Sequence, residues 1–125
     1  MEISSVNVLV LAYLGDTIYE GYVRRYLINK RISNVNDLQT ESIKYVSAKN
    51  QAKFLTVLVD KNFFSEEEMS VIRRCRNYKS NSHPKNCDII TYKHATALEG
   101  VIGYLELTKN FQRIDEIMIE ILKEE

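Results

Sequence analysis

The stretch "LAYLGDTIYE", residues 11–20, places Gly15 and Asp16 inside a run whose apolar residues return every three or four positions. Val6, Leu9, Val10, Tyr13, Leu14, Ile18, Tyr22 and Leu27 keep roughly the 3.6-residue period of an amphipathic helix. The spacing therefore predicts a first helix, capped by Ser4 or Ser5 and running to about Asn29. Glycine inside a helix costs about 1 kcal/mol relative to alanine, so Gly15 signals a point where another backbone comes close.

A second stretch repeats the pattern. In "ALEGVIGYL", residues 97–105, Glu99 stands beside Gly100 and Gly103 among apolar neighbours. Two helices packed tightly at Gly15 and Gly100 would carry Asp16 and Glu99 toward each other. Two carboxylates held together out of water repel, and one stays protonated unless a cation lies between them. Mg²⁺ suits that place, since it is commonly held by one or two carboxylates, with water and phosphate completing its shell. Spacing alone equally admits, and on its own favours, a plainer arrangement in which both acids lie on solvated helix edges or pair with Lys and Arg.

Between these stretches the chain reads as helix almost throughout. Val35 to Lys61 forms helical material broken near Ser47, with Val46, Ala48, Ala52, Leu55 and Val59 on or near one face. Ser65 followed by Glu68 is a capping box for a helix through "EEEMSVIRRCRN". Pro84 and its polar neighbours mark a loop, a helix resumes near Thr91, and Asn110 caps a last one whose apolar residues are Ile114, Ile117, Met118, Ile121 and Leu122. No segment alternates at period two over a strand's length, so the expected fold is all-α, a single domain over 1–125. A chain of 125 residues with 45% apolar content buries a core without metal or disulfide staples.

The apolar run at the N-terminus has no basic region before it and ends at Asp16, short of the ~20 residues of a membrane span. A cytoplasmic, non-membrane protein is expected, with Cys75 and Cys87 as free thiols. Cys75, His83, Cys87 and His94 fall in one region, but they lack the close cysteine pairs of structural zinc sites.

The formal net charge is zero, yet charge is segregated. Residues 69–87, "MSVIRRCRNYKSNSHPKNC", carry Arg73, Arg74, Arg76, Lys79 and Lys85 and no acid, while 66–68 and the C-terminal helix are acidic. Such separation builds a local field that a net count conceals. In "VSAKNQA", residues 46–52, Ser47 reads as a helix cap and Lys49 as a possible phosphate contact; the eight tyrosines read mostly as core and interface.

"LAYLGD" resembles the closing half of the ribonuclease III signature, and "ALEGVIGYL" that family's second catalytic helix. Taken with "VSAKNQA", "RRCRNYKSNSHPKN" and "YKHATALEGVIGYLEL", the chain is similar over almost its whole length to the Mini-ribonuclease III family, short bacterial enzymes without a double-stranded-RNA-binding domain. The resemblance implies a helical endonuclease domain acting as a homodimer. It also implies Mg²⁺-dependent hydrolysis of double-stranded RNA to 5′-phosphate and 3′-hydroxyl ends, with Mn²⁺ as a substitute, and maturation of 23S ribosomal RNA precursor; a ribosomal protein that shapes this substrate is a candidate partner, and the need for one is left open by the sequence.

By position, Asp16 and Glu99 match the family's metal ligands and are the catalytic residues expected. Ala12 and Thr96 stand where full-length ribonuclease III carries a further glutamate and aspartate. The mini-enzymes share that reduced set, which points to one well-held ion and a second that arrives with RNA. The metal activates the attacking water, so neither His83 nor His94 is needed as a base. Duplex RNA is recognised through shape, phosphates and 2′-hydroxyls, which suits Arg73, Arg74, Arg76, Asn77, Lys79 and Lys85 as RNA-binding residues. A helical RNA-binding or ribosome-associated module without catalysis is the alternative that keeps the basic segment but not the chemistry.

Overall fold

The computed structural model describes residues 2–79 and 84–123, and among these every regular element is helical. A 3₁₀ turn at Ile3–Ser5 precedes α1 (Val8–Asn29), α2 (Val35–Val46), α3 (Ala48–Asp60), α4 (Glu66–Arg76), α5 (Ile89–Leu107) and α6 (Phe111–Leu122). The all-α expectation is borne out. No helix among the described residues is long and apolar enough to cross a membrane.

Local chemistry sets most helix starts. The side chains of Asn34, Ser47 and Asp88 accept from the backbone N–H groups of Asp37, Asn50 and Thr91, satisfying donors that a first helical turn leaves free. Ser65 and Glu68 form the expected capping box, each side chain bonded to the other's backbone N–H. Three starts differ from expectation. Helix α1 is capped by Asn7, which accepts from Leu9 N–H at 2.7 Å, because Ser4 and Ser5 are used in the preceding 3₁₀ turn. Helix α5 begins at Ile89, two residues early, behind the Asp88 cap. Asn110 holds the N-cap position of α6 but makes no side-chain capping bond.

All four glycines lie within α1 and α5, and none has a positive φ. The left-handed positions that terminate helices are taken instead by Arg31, Asn62 and Lys109. After α3 and α5 the chain turns back through bonds from Phe63 N to Leu58 O and from Asn110 N to Leu105 O, the six-to-one bond of a Schellman ending. Glycine's conformational freedom is therefore not what this sequence uses it for.

Helix α5 is the axis of the core. Ala97, Leu98, Val101, Ile102 and Leu105 are buried, and α1, α3, α4 and α6 all pack against it. A helix enclosed on so many sides is apolar nearly all round, which is why its sequence shows little amphipathic contrast. Helix α6 contributes one clean stripe, with Ile114, Ile117, Met118, Ile121 and Leu122 all buried as expected. In α3 the buried apolar side chains are Ala52, Leu55 and Leu58, with Val59 half-buried.

The buried face of α1 differs from the predicted one. Val8, Leu11, Ala12, Gly15, Tyr19, Val23 and Leu27 are buried, whereas Leu9, Val10 and Tyr13 are exposed, Tyr13 to 81%. Both faces of α1 are apolar, so periodicity could not choose between them. The face carrying Gly15 is the one that admits another backbone, and it faces α5. Tyr19, fully buried, donates its hydroxyl to the Tyr45 carbonyl at 2.6 Å and so ties α1 to the end of α2.

One buried ion pair fixes α4 against α6. Arg113 donates Nε to Glu68 Oε2 at 2.8 Å and Nη2 to Glu68 Oε1 at 3.0 Å, and its guanidinium lies over the Phe63 ring. This bidentate geometry offsets the cost of holding Glu68 at 4% exposure.

Candidate active site

The site is made by the crossing of α1 and α5. A Cβ placed on Gly15 would lie 1.7 Å from the Glu99 carbonyl oxygen, and one on Gly103 would lie 2.0 Å from the Leu11 carbonyl oxygen. The two backbones are in direct contact there, and only glycine permits it. The expected partner of Gly15 was Gly100, which instead faces α4, where its Cβ would lie 2.5 Å from Cys75 Sγ. Both α5 glycines relieve steric conflict, but with different neighbours.

The crossing delivers Asp16 and Glu99 to one place. Asp16, one residue beyond Gly15, is exposed, and Glu99 is half-buried beneath it. Burial, then the charge of Asp16 and a side-chain hydrogen bond with it, push the Glu99 carboxyl up from 4.5 to about 8. The charge of Glu20, one helical turn beyond Asp16, acts in the same direction. The opposing influence is Gln51 of α3, whose Nε2 donates to Glu99 Oε2 at 3.3 Å.

Asp16 and Glu99 line a depression of about 230 Å³ together with Leu9, Ala12, Tyr13, Tyr92 and Thr96. Ala12 and Thr96, one turn before Asp16 and Glu99 respectively, add no charge. Among the described residues no group of three or more His, Cys, Asp or Glu side chains could hold a metal ion. The donor set is thus two carboxylates brought to one depression, with burial first and the charge of Asp16 second disfavouring the ionised form of Glu99. That electrostatic conflict is what a hard divalent cation relieves, with solvent and phosphate oxygens filling its remaining positions. The residues fit such an ion.

The cysteines and histidines do not form a second centre among the described residues. Cys75 is buried against Gly100, Cys87 is half-buried, and His83 lies outside the described residues. His94 lines a shallow depression with Arg76, Asn77, Ile90 and Lys93.

The basic residues divide by environment. Arg73, Lys79 and Lys85 are exposed, Arg76 is half-buried, and Asn77 is the exposed C-cap of α4. Arg74 is engaged in the fold, donating Nη1 to the Ser4 carbonyl at 3.0 Å and Nη2 to the Val6 carbonyl at 2.7 Å. Sequence reasoning missed two polar participants. Lys93 joins Arg76 and His94 only because α5 passes behind the end of α4. Gln51 reads in sequence as an ordinary polar helix residue, and its burial at 2% exposure is the signal that distinguishes it.

Comparison with known proteins shows the family. The family model for the ribonuclease III domain matches residues 9–110. The chain is 42% identical over 120 residues to Mini-ribonuclease 3 of Staphylococcus aureus, covering 96% of this chain and 90% of that one. It is 49% identical over 112 residues to Mini-ribonuclease 3 of Brevibacillus brevis, covering 90% and 82%. The crystal structure of a protein from Fusobacterium nucleatum superposes with a TM-score of 0.86 at 31% identity, covering 96% of each chain. The chain therefore belongs to the ribonuclease III family of endoribonucleases, alongside the Mini-ribonuclease 3 proteins.

Proposed function

We propose that this protein cleaves double-stranded RNA with a divalent cation, Mg²⁺ or in its place Mn²⁺, held by Asp16 and Glu99, and that its substrate is 23S ribosomal RNA precursor in the cytoplasm. The observation that carries the reading is the convergence of these two carboxylates on one depression at the glycine-lined crossing of α1 and α5. When bound, the cation supplies a water of lowered pKa and stabilises charge on the phosphate oxygens. The protein's own part is to hold two anionic groups at a fixed separation on rigid helices, which costs no reorganisation when RNA arrives. With Ala12 and Thr96 in place of acids, one ion per site is held chiefly by the protein.

Arg73, Arg76, Asn77, Lys79 and Lys85, with Lys93 added from α5, are the RNA contacts of this reading. Exposed cations at and beyond a helix end suit phosphates spaced along a duplex. Arg74 contributes by holding the segment before α1 through Ser4 and Val6.

The reading includes a homodimer. Leu9, Val10 and Tyr13 expose apolar surface on the helix that carries Asp16, and a two-fold pair of sites would match the approximate two-fold symmetry of a duplex backbone. A ribosomal protein that shapes the precursor is a further partner of this reading.

The test is cleavage of a long RNA duplex in Mg²⁺ beside EDTA, with Asp16→Asn and Glu99→Gln, recording duplex binding in parallel. Cutting by the wild type, with both variants binding but not cutting, supports the proposal. Binding without cutting by the wild type in either metal, on duplex and on ribosomal precursor, replaces it with the RNA-binding module.

A further inference from the structure

The geometry points to Gln51 as the positioning residue that fixes the Glu99 carboxylate for its cation. The inference rests on the proposed role of Asp16 and Glu99, and it adds a third helix to the site.

Gln51 lies on the inner face of α3, where its neighbours along the helix are Ala52, Leu55 and Leu58, all buried. Its own exposure is 2%. A leucine would serve packing better there, since burying an amide costs about 1–3 kcal/mol unless its hydrogen bonds are made. The amide makes one, from Nε2 to Glu99 Oε2 at 3.3 Å. Glu99 therefore has partners on two other helices, Asp16 on α1 and Gln51 on α3.

The chemistry of the contact is one-directional. An amide N–H donates to a carboxylate whether or not a metal is bound, so Gln51 holds one oxygen of Glu99 without competing for the ion. Holding that oxygen fixes the plane of the carboxylate and favours its charged form. This is how groups behind metal ligands act, and their loss costs on the order of 10–100-fold in metal affinity. Gln51 is not itself placed as a ligand, and it touches neither substrate nor reacting atoms.

The test uses Gln51→Met, which keeps the volume but removes the donor, and Gln51→Asn, which keeps the amide but shortens its reach by one methylene. Mn²⁺ binding to the RNA-free protein is measured by calorimetry, with Asp16→Asn as the reference for the site and circular dichroism to establish folding. Duplex cleavage is then followed against Mg²⁺ concentration. Both variants are expected to bind Mn²⁺ about 10–100-fold more weakly. Their half-saturating Mg²⁺ should rise by a similar factor while the rate at saturating metal stays near the wild-type value. A purely structural role would lower thermal stability and leave metal affinity unchanged.

A folded variant of either kind that binds Mn²⁺ as the wild type does overturns the assignment of Gln51 alone. A wild type with no Mn²⁺ site sensitive to Asp16→Asn overturns the metal site and this inference together.

Discussion

Gly15→Ala and Gly21→Ala make the same chemical change in the same helix, and the structure assigns them opposite signs. Alanine is favoured over glycine in a helix by about 1 kcal/mol, and that gain is common to both. At Gly21 the new Cβ meets only Arg25 Nη1, at 3.4 Å, the mobile end of a long side chain. The full propensity gain should survive, so Gly21→Ala stabilises by about 0.5–1 kcal/mol. At Gly15 the new Cβ lies 1.7 Å from a backbone carbonyl oxygen of α5, and separations below 3.0 Å essentially never occur. The helices must part by roughly 1 Å or more along their shared core, which includes Leu11, Tyr19, Leu98 and Ile102, and a side-chain rotation cannot relieve a clash with backbone. Overpacking typically costs about 1–3 kcal/mol where some relaxation is possible, and a rigid backbone clash lies at or beyond the upper end. The net for Gly15→Ala is a loss of about 2 kcal/mol or more. In thermal unfolding at fixed protein concentration, a chain of this size shifts its midpoint by about 3–5 °C per kcal/mol. Gly21→Ala should therefore rise by a few degrees, and Gly15→Ala should fall by roughly 6–10 °C or further. Midpoints that move together, or a Gly15→Ala protein as stable as the wild type, would refute the claim that the α1–α5 crossing is built on backbone contact.

Three further outcomes follow from individual contacts. Glu99 keeps its proton in the folded state up to about pH 8 but releases it near 4.5 when unfolded, so across that window the native state binds more protons and stability falls as pH rises. In EDTA, the stability of Glu99→Gln relative to wild type should thus grow between about pH 5 and about pH 8 by a few kcal/mol, at about 1.4 kcal/mol per pKa unit; a difference that does not change with pH contradicts the coupling. Arg113→Met leaves the buried Glu68 carboxylate without its partner and should cost about 3 kcal/mol in denaturant unfolding at neutral pH, whereas a loss below about 1 kcal/mol would mean that the pair is solvated. Lys79→Ala with Lys85→Ala should weaken duplex binding and flatten its salt dependence by about one unit of slope for each phosphate that is no longer neutralised, and an unchanged slope would remove both from the RNA interface.

What was legible in the sequence depended on how many neighbours a helix has. Helix α6 packs through one face, and its stripe of Ile114, Ile117, Met118, Ile121 and Leu122 was readable residue by residue. Helix α1 is apolar on two faces, so its period announced a helix without telling Leu11 and Tyr19, which are buried, from Leu9 and Tyr13, which are exposed. That Asp16 and Glu99 could meet was readable because glycine in a helix interior has a steric meaning, although spacing alone favoured solvated acids and the family resemblance was what favoured the meeting. Which glycine of α5 meets Gly15 was not, since Gly100 and Gly103 are alike in sequence and only the placement of α4 assigns Gly100 to Cys75. Gln51 escaped for a related reason, because a lone polar residue on a helix looks solvated until the element that engages it, here α5, is in place. Arg74, read as an RNA contact, is instead engaged by the segment before α1.

The central claim is that Asp16 and Glu99 hold one divalent cation between them. Anomalous diffraction from crystals of the wild-type protein grown with Mn²⁺ tests it most directly. The account predicts one strong peak per chain, bonded to a carboxylate oxygen of each residue and absent in Asp16→Asn. A peak elsewhere, or one that persists in that variant, would contradict it.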